Sequence, residues 1–397
     1  MGGSIAGAAF GAAILLALVA NPIAYAVLAL VGFMGYRIGV STMALTRPAF
    51  GIKGSLLPTT LNTIVFLGWA VVNTFIAVIS MSYIFQDLFS WPAYGEPGGT
   101  RPMILGIVIM TLLNLGAVSI GRQSVKIVER IGIVLILILG VWVTVIVFQT
   151  HSFADVIAWR PTIETALPFG KAIDLMAAFS LSWVLGIAEF TRYTRTKAAA
   201  TVAPMLGATV SLIWFVFVGL LATIGVALTT GEFNPDNSDP SSLVSSLGLG
   251  WMALLLIVVA CVTTNVVNLM AAGVSVTNVT RKIKPIYSIW IVTILAGILM
   301  LIPLFAESFL DTFMNFLDFL GMALSALLGI LIADYFVIKR RKYKVDEFTK
   351  LGGKYWYYKG VNLRAIAVWV FGVLFYLLIH NLSVVTAAEG RYIRQLL

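Results

Sequence analysis

Polar side chains crowd into one short stretch of a strongly apolar segment, VTTNVVNLMAAGVSVTN at residues 262–278. Thr264 and Asn268 are four residues apart, and Asn265 precedes Asn268 by three, so a helix places these groups on one side. Burying an unpaired amide in hydrocarbon costs about 4–8 kcal/mol on an alkane scale. These groups therefore need partners, and their spacing predicts a site for a polar solute or an ion.

Two further segments carry matching residue types. In LGWAVVNTF, Trp69 and Asn73 are four residues apart and share one helical face. An asparagine amide offers two donors and one acceptor, which matches the amide-like edge of a planar heterocycle that stacks on a tryptophan. In AAFSLSWVLG, Phe179 and Ser180 lie among small polar residues, a composition typical of a broken span that lines a cavity. The predicted substrate-binding residues are Trp69, Asn73, Phe179, Ser180, Asn265 and Asn268.

The hydroxyls of Thr263 and Thr264 add a candidate cation site, because small cations prefer oxygen ligands. Each residue taken alone also has a purely structural interpretation. Serine and threonine often bond the carbonyl four residues back, and asparagine contacts between helices often serve packing. A tryptophan within a span usually faces lipid or the core. The combination of residues, rather than any single one, favours a site.

Acidic residues inside apolar segments are also functional candidates. Asp318 lies deep in such a segment and is a candidate proton carrier. Glu189 and Asp334 instead lie at helix ends near Arg192 and Lys339, which favours local ion pairs or caps.

The elements that position these residues follow from composition. Of 397 residues, 60% are hydrophobic and 11% are charged, and the mean hydropathy is +1.00, which indicates a polytopic membrane protein. A helical crossing needs about 20 apolar residues. Ten runs satisfy this length: 4–33, 56–88, 102–121, 126–148, 170–190, 202–228, 244–278, 285–304, 309–338 and 361–383.

Basic residues set the predicted orientation. Most of the 26 lysines and arginines fall in alternate loops and in the 339–360 loop, which places that side in the cytoplasm. The net charge of +9 is therefore a topology signal and not a sign of nucleic-acid binding. In this orientation both chain ends lie outside, and we expect that the chain lacks one helix at each end.

Several function classes are excluded by what the sequence does not contain. One cysteine and two histidines exclude an internal disulfide framework and leave almost no material for a Cys/His zinc site. No GxxxxGK[ST] loop for ATP occurs, and no constellation of catalytic groups supports an enzyme. We therefore predict a protein that is not an enzyme and needs no cofactor beyond a coupling ion.

The two polar helices also predict an internal symmetry. They are five spans apart, and because five is odd they cross the membrane in opposite directions. Corresponding polar patches on such helices are what an inverted five-helix repeat produces, with a solute site near the bilayer midplane.

Motifs along most of the chain resemble one transporter family. In family order they are YRIGVSTMALTRPAFGIKGS (36–55), LGWAVVN (67–73), GIAEFTRYTR (186–195), TTN (263–265), ADYFVIKRRKY (333–343) and KYWYYKGVN (354–362). Together they resemble the nucleobase:cation symporter-1 family, which includes cytosine, purine and allantoin permeases and a hydantoin transporter.

The resemblance implies an all-α, LeuT-type fold with inverted repeats in a single transmembrane domain over 1–397, and about ten transmembrane helices in this chain. The matches correspond to family helices two to eleven, so the chain is expected to lack the first and last helices. The implied parts are 1–148 as the remainder of the first repeat, 170–338 as the second repeat, 339–360 as a cytoplasmic loop, 361–383 as an additional helix and 384–397 as a tail.

The resemblance also implies residue roles. The family tryptophan that stacks on the heterocycle matches Trp69, and the amide one turn later matches Asn73, where relatives usually have glutamine. The broken sixth family helix matches Phe179 and Ser180, and Asn268 lies close to the binding asparagine of relatives. The implied sodium ligands are Thr263, Thr264 and the carbonyl of Ala260.

The expected function is import of a nucleobase such as cytosine or a purine, or of a related heterocycle, with Na⁺ or H⁺ by alternating access. The expected location is the plasma (inner) membrane as a multi-pass protein, with the heterocycle, the coupling cation and lipid as partners. The alternatives are a truncated, non-transporting remnant, a carrier of amino acids or other small solutes with the same fold, and a channel. The identity of the base and of the ion stays open.

Overall fold

Ten long helices form the protein in the computed structural model, which describes residues 3–120, 122–279, 283–306 and 308–396. Within these ranges, ten helices are long and apolar enough to cross a membrane. Their main helices are α1 (Phe10–Ile38), α2 (Leu56–Phe89), α3 (Thr100–Ser119), α4 (Arg122–Thr150), α5 (Phe169–Ser182), α6 (Val202–Thr230), α7 (Gly250–Val279), α8 (Pro285–Leu299), α9 (Phe309–Ile332) and α10 (Leu363–Leu396). The spans of α5, α8 and α9 continue through short helical turns to Thr191, Phe305 and Ile338. The predicted all-helical class is confirmed, as expected where backbone groups must pair within each segment.

The helix ends differ from the predicted runs where local backbone geometry intervenes. The first run was predicted over 4–33, but Ala9 adopts a positive φ of 64° and separates a short 3₁₀ helix, Gly3–Ala8, from α1. The last helix continues to Leu396, through most of the segment predicted as a tail. The final residue of that tail lies outside the described residues.

The run predicted over 244–278 is two helices. The short helix Pro240–Ser246 begins with Asp239 as its N-cap, whose carboxylate accepts hydrogen bonds from the backbone N–H groups of Ser241 and Ser242. Gly248 and Gly250 then adopt φ values of 68° and 74°, which glycine tolerates without strain, and α7 begins there.

The span predicted to be broken is interrupted. After α5 ends at Ser182, the chain forms a 3₁₀ turn over Trp183–Gly186 and a last helical turn over Ala188–Thr191. A 3₁₀ turn within a span changes the hydrogen-bond register and often marks a hinge or a functional site. A π turn, Ala333–Ile338, extends α9 in a similar way at its end.

The chain divides into two compact units, and each is described by itself. The first unit contains Met1–Leu15, Asn62–Leu167 and Ile213–Asn315, and the second contains Leu16–Leu61, Pro168–Leu212 and Phe316–Leu397. Each unit draws segments from both predicted repeats, so the repeat boundaries stay a prediction.

In the first unit, α7 is the central helix and packs against α3, α4 and α8. Small residues allow these approaches. A Cβ added at Gly273 would lie 2.5 Å from the side chain of Ile289, and one added at Gly132 would lie 2.3 Å from Thr263 Oγ1. Close helix packing through glycine is characteristic of membrane proteins, in which packing contacts replace the hydrophobic effect between helices.

In the second unit, the predicted ion pairs at helix ends are confirmed. Glu189 lies 3.1 Å from Arg192 and also accepts a hydrogen bond from the backbone N–H of Thr42. Asp334 lies 3.7 Å from Lys339 and accepts a hydrogen bond from the hydroxyl of Tyr343 at 2.7 Å. Burial, with the Asp334 carboxylate close by, raises the pKa of the Tyr343 hydroxyl, so Tyr343 stays a donor.

Candidate functional site

Two hydrogen bonds fix the alignment of α2 and α7 in the first unit. Asn62 donates to Ser275 Oγ at 2.9 Å, and Asn265 donates to Thr74 Oγ1 at 2.7 Å. Residue numbers rise along one helix as they fall along the other, so the two helices are antiparallel, as the polar pattern predicts. Between these two contacts lie Trp69 and Asn73 on α2 and Asn268 on α7.

Asn268 is the most unusual polar residue of this pair. Its side chain is fully buried, and among the described residues neither its amide nitrogen nor its oxygen has a hydrogen-bond partner. A buried polar group without a partner costs about 1–3 kcal/mol, and buried polar groups in native proteins are seldom left unsatisfied. The amide therefore presents both a donor and an acceptor to whatever occupies this level of the helix pair.

Asn265 has a structural role that Asn268 lacks. Its amide nitrogen donates to Thr74 Oγ1, and the same hydroxyl oxygen accepts a second bond from Asn114 at 3.3 Å. This network joins α2, α3 and α7 within the buried core. The donor of Asn265 is thus used in packing, while its oxygen has no partner among the described residues.

Asn114 was not identified from the sequence. It is a single amide within the apolar run TLLNLGA, the same signal that singled out Asn268.

Trp69 belongs to an aromatic cluster and not to the lipid-facing surface. Only 5% of the residue is exposed, and its ring meets that of Phe313 edge to face, with centroids 6.1 Å apart. Phe313 in turn stacks on Phe309, which packs against Phe75 at 5.0 Å between centroids. Asn73 lies one turn beyond Trp69 and is partly exposed. The phenylalanines of this cluster were not predicted, because an aromatic residue in an apolar span carries no local signal of its partners.

A pocket opens beside this cluster. Its lining residues are Val72, Ile76, Asp236, Ser238, Asp239, Pro240, Phe309, Leu310 and Phe313. Val72 lies three residues after Trp69, so the pocket and the tryptophan share one region of α2. One carboxylate oxygen of Asp239 is buried there without a partner among the described residues, and burial raises the pKa of this carboxyl group.

The three oxygens predicted to hold a cation lie together on α7. The hydroxyls of Thr263 and Thr264 both donate to the carbonyl of Ala260, at 2.7 and 3.0 Å. This is the bonding typical of helical threonines, yet it also gathers three neutral oxygens at one point. A hydroxyl can rotate its proton away and present a lone pair, so the set fits as part of a coordination shell for a small cation.

Thr263 also faces α4 at very close range, where Gly132 leaves no room for a side chain. The threonine is 7% exposed, so its hydroxyl lies in the packed interface between α4 and α7. Any change at Gly132 therefore acts directly on the position of this oxygen.

In the second unit, Ser180 forms a buried polar contact with α1. Its hydroxyl donates to Asn21 Oδ1 at 3.1 Å. Asn21 and Ser180 are fully buried, and the amide nitrogen of Asn21 has no partner among the described residues. Phe179 precedes Ser180 one turn before the break in α5 and is partly exposed.

Asn21 was also missed from the sequence, although its position before Pro22 within α1 is a visible signal. A proline inside a helix frees a backbone carbonyl and often accompanies local polar contacts. The second unit thus holds its own buried amide with an unused donor, as the first unit does.

Comparison with known proteins identifies the family. A family model described as permease for cytosine/purines, uracil, thiamine and allantoin matches residues 1–393. The allantoin permease of Bacillus subtilis is 25% identical over 381 residues, covering 89% of this chain and 74% of that protein. The hydantoin permease of Microbacterium maritypicum is 25% identical, covering 88% and 71%, and the cytosine permease of Escherichia coli K12 is 25% identical, covering 85% and 72%.

Solved structures show the same fold. One of them is Mhp1, a nucleobase-cation-symport-1 family transporter solved in a closed conformation with bromovinylhydantoin bound. Mhp1 superposes with a TM-score of 0.73 at 19% identity, and the match covers 98% of this chain and 89% of the Mhp1 chain. MhsT, solved with L-phenylalanine, superposes with a TM-score of 0.56 at 14% identity, covering 96% and 92%. The predicted LeuT-type fold is confirmed.

The buried amides, the antiparallel polar helices and the ten apolar spans agree with these comparisons. The chain is a multi-pass membrane protein and a member of the nucleobase:cation symporter-1 family of permeases for cytosine/purines, uracil, thiamine and allantoin, a family of transporters and not of enzymes.

Proposed function

We propose that this protein is a secondary transporter that imports a nucleobase, such as cytosine or a purine, or a closely related heterocycle, together with a cation. The observation that carries the proposal is the fully buried amide of Asn268, which has no hydrogen-bond partner among the described residues. It lies on α7 between the two contacts that hold α2 against α7, the interval in which α2 carries Trp69 and Asn73. A flat ring with adjacent N–H and C=O groups satisfies an amide donor and acceptor together.

The residues have separate roles in this proposal. Trp69 supplies the aromatic face, and Asn73 and Asn268 pair with the polar edge of the ring. The oxygen of Asn265 offers a further acceptor, although its donor is committed to Thr74. The assignment of Phe179 and Ser180 as substrate-binding residues rests on the sequence resemblance alone.

The coupling cation is sodium or a proton in this proposal. If it is sodium, the oxygens of Thr263, Thr264 and Ala260 contribute to its coordination. Inward movement of one charge yields about 2.3 kcal/mol per 100 mV. About 1.4 kcal/mol corresponds to a tenfold concentration ratio, so a potential of about 100 mV can drive accumulation of a neutral solute by tens of fold.

Alternating access is the expected mechanism, and the plasma (inner) membrane is the expected location. Binding of solute and cation favours an occluded state, and the site then opens to the opposite side. Relatives named for allantoin, hydantoin and cytosine support a heterocyclic substrate.

The test is uptake of radiolabelled cytosine, hypoxanthine, allantoin and hydantoin into proteoliposomes that contain the purified chain. Asn268→Ala is expected to abolish uptake of the accepted substrate, because it removes both hydrogen-bonding atoms. Asn62→Ala is the matched control: it also removes a buried asparagine of the α2–α7 pair, but one that bonds Ser275.

Uptake by the Asn62→Ala protein should persist at a substantial fraction of the unmodified rate. Equal uptake by the Asn268→Ala protein and the unmodified protein would show that the site assignment is wrong. Competition by amino acids instead of heterocycles, or no uptake of any probe, would contradict the proposed substrate class or transport itself.

A further inference from the structure

Five ionisable side chains meet in the second unit. Lys171 and Asp174 come from α5, Asp318 from α9, and Tyr376 and His380 from α10. The Lys171 ammonium lies 2.5 Å from each carboxylate oxygen of Asp318. The Tyr376 hydroxyl donates to Asp174 Oδ2 at 2.5 Å. We refer to these five residues as the ionisable cluster.

His380 joins the two parts of the ionisable cluster. Its Nε2 lies 3.3 Å from Lys171 Nζ and 3.7 Å from Asp318 Oδ2. Its ring stacks on that of Tyr376, with centroids 5.9 Å apart. Among the described residues, the charged and titratable groups around the imidazole are thus contributed by all three helices: Lys171, Asp174, Asp318 and Tyr376.

The ionisable cluster lies within membrane-spanning helices. Asp318 is nine residues from the start of α9, about 14 Å along the axis at 1.5 Å per residue. The side chains of Lys171, Asp318 and His380 are 24%, 20% and 26% exposed, so each is largely covered by protein. An ionisable group as deep as Asp318 is costly and characteristically belongs to an ion or proton pathway, and it meets Lys171 near the start of α5 and His380 at the end of the apolar span of α10.

The charges of the ionisable cluster do not balance when the imidazole is neutral. One ammonium faces two carboxylates, while tyrosine is uncharged, which leaves a net charge of −1. Addition of one proton makes the cluster neutral. Imidazole is the side chain that ordinarily changes charge between about pH 5 and pH 8, so it is the natural acceptor of that proton.

A purely structural ion pair does not account for this composition. The Lys171–Asp318 pair alone would hold α5 against α9, with no need for a second carboxylate or for a histidine. A metal ion is also poorly suited to the centre. Single ligand atoms of Asp174, Asp318 and His380 lie within 4.8 Å of one another, but both Asp318 oxygens already contact the lysine ammonium.

We propose that the ionisable cluster is a binding site for one proton, with His380 as the acceptor, and that this proton is the coupling ion that enters with the solute. The inference rests on the proposed transport function and deepens it by naming the ion. The proton comes from external water, adds to an imidazole nitrogen and leaves to water on the cytoplasmic side, and no other bond changes. Neutralisation lowers the cost of holding the cluster away from water, so the loaded protein is the one able to change state.

The first experiment measures proton binding without transport. The chain has two histidines, and the other, His151, bonds Thr229 Oγ1 at 2.9 Å in the first unit. In the purified His151→Gln protein with ¹⁵N-labelled histidine, NMR should show that the remaining imidazole, that of His380, gains a proton as the pH falls. Adding Asp318→Asn should weaken proton affinity roughly tenfold or more, because the cluster with neutral imidazole then carries no net charge. An unchanged midpoint in the Asp318→Asn protein would refute the proton site.

The second experiment measures coupling in proteoliposomes with the heterocyclic probe that gives uptake. An inward gradient of one pH unit, at equal sodium and with the membrane potential clamped, should drive up to roughly tenfold accumulation for one proton per solute. His380→Gln should lose accumulation but retain exchange of labelled for unlabelled probe, while His151→Gln should keep both.

Accumulation driven by a sodium gradient at equal pH, or full proton-driven accumulation by His380→Gln, would overturn the inference and leave the proposed transport function intact. If none of the probes is taken up under either gradient, the proposed function fails, and with it the coupling role of the proton. The NMR titration would still decide whether the ionisable cluster binds a proton.

Discussion

Replacing Asn268 by leucine tests the central observation most directly, because leucine has nearly the same shape and no polar atoms. In the unmodified protein, a fully buried amide has neither its donor nor its acceptor paired with any described residue. An unsatisfied buried group costs about 1–3 kcal/mol, so Asn268→Leu should stabilise the substrate-free protein by about that amount. For a chain of this length, with an unfolding entropy of about 2.1 cal/mol/K per residue, the melting temperature should rise by about 1–4 °C.

The same substitution should weaken substrate binding. A bound heterocycle would lose one or two partners and keep unpaired polar groups, at about 1–3 kcal/mol each, which corresponds to about 5–150-fold in affinity for a single lost partner. Stability and binding are thus expected to change in opposite directions, which a general loss of folding cannot produce.

Thermal unfolding can be followed with a thiol-reactive dye. Cys261 is the only cysteine of the chain and is buried, so the dye reacts when the helices separate. Asn62→Leu is the matched control. It gives up the hydrogen bond to Ser275 and should gain less stability than Asn268→Leu, or lose some. Equal or lower stability of Asn268→Leu compared with this control would refute the reasoning, because it would mean that the Asn268 amide is already satisfied in the folded protein.

Two further predictions concern packing and pH. Gly132→Ala places a Cβ 2.3 Å from Thr263 Oγ1 and should destabilise the protein by about 1–3 kcal/mol. Gly116→Ala, whose Cβ would have no atom within 4 Å, should be neutral or stabilising. The unfolding temperatures of the two variants are compared with that of the unmodified protein. Burial raises the pKa of the Asp239 carboxyl above 3.8, so the folded state keeps this proton when the unfolded chain has lost it. Stability should therefore fall as the pH rises from about 4 towards neutral, and Asp239→Asn should flatten that dependence in a pH series of melting curves.

The sequence predicts the spans and the antiparallel placement of the polar residues of α2 and α7 well, because both depend on local patterns. Apolar runs of bilayer length locate the ten helices, and the spacing of four between Trp69 and Asn73 correctly places both within the antiparallel pair. The small polar residues after Phe179 also predict the break at the end of α5. In each case the physical cause lies within one or two helical turns of the chain.

What the sequence does not predict is which groups meet across helices. Asn114 and Asn265 share Thr74, and Asn21 meets Ser180, through contacts between distant segments that no local spacing encodes. Asp318 was identified as a proton candidate from its depth alone. Its partners on α5 and α10 depend on how three helices pack, so their presence becomes visible only in the folded protein.

The two hydrogen bonds that fasten α2 to α7 have a consequence for selectivity. The hydrogen bonds Asn62–Ser275 and Thr74–Asn265 lie on either side of Asn268. They therefore restrict α2 and α7 from sliding past each other or separating. If the heterocycle binds there as proposed, little of its binding free energy is lost in ordering the protein, as expected of a preorganised site. The same rigidity disfavours a slightly larger ligand, because α2 and α7 cannot move apart without breaking one of the two hydrogen bonds.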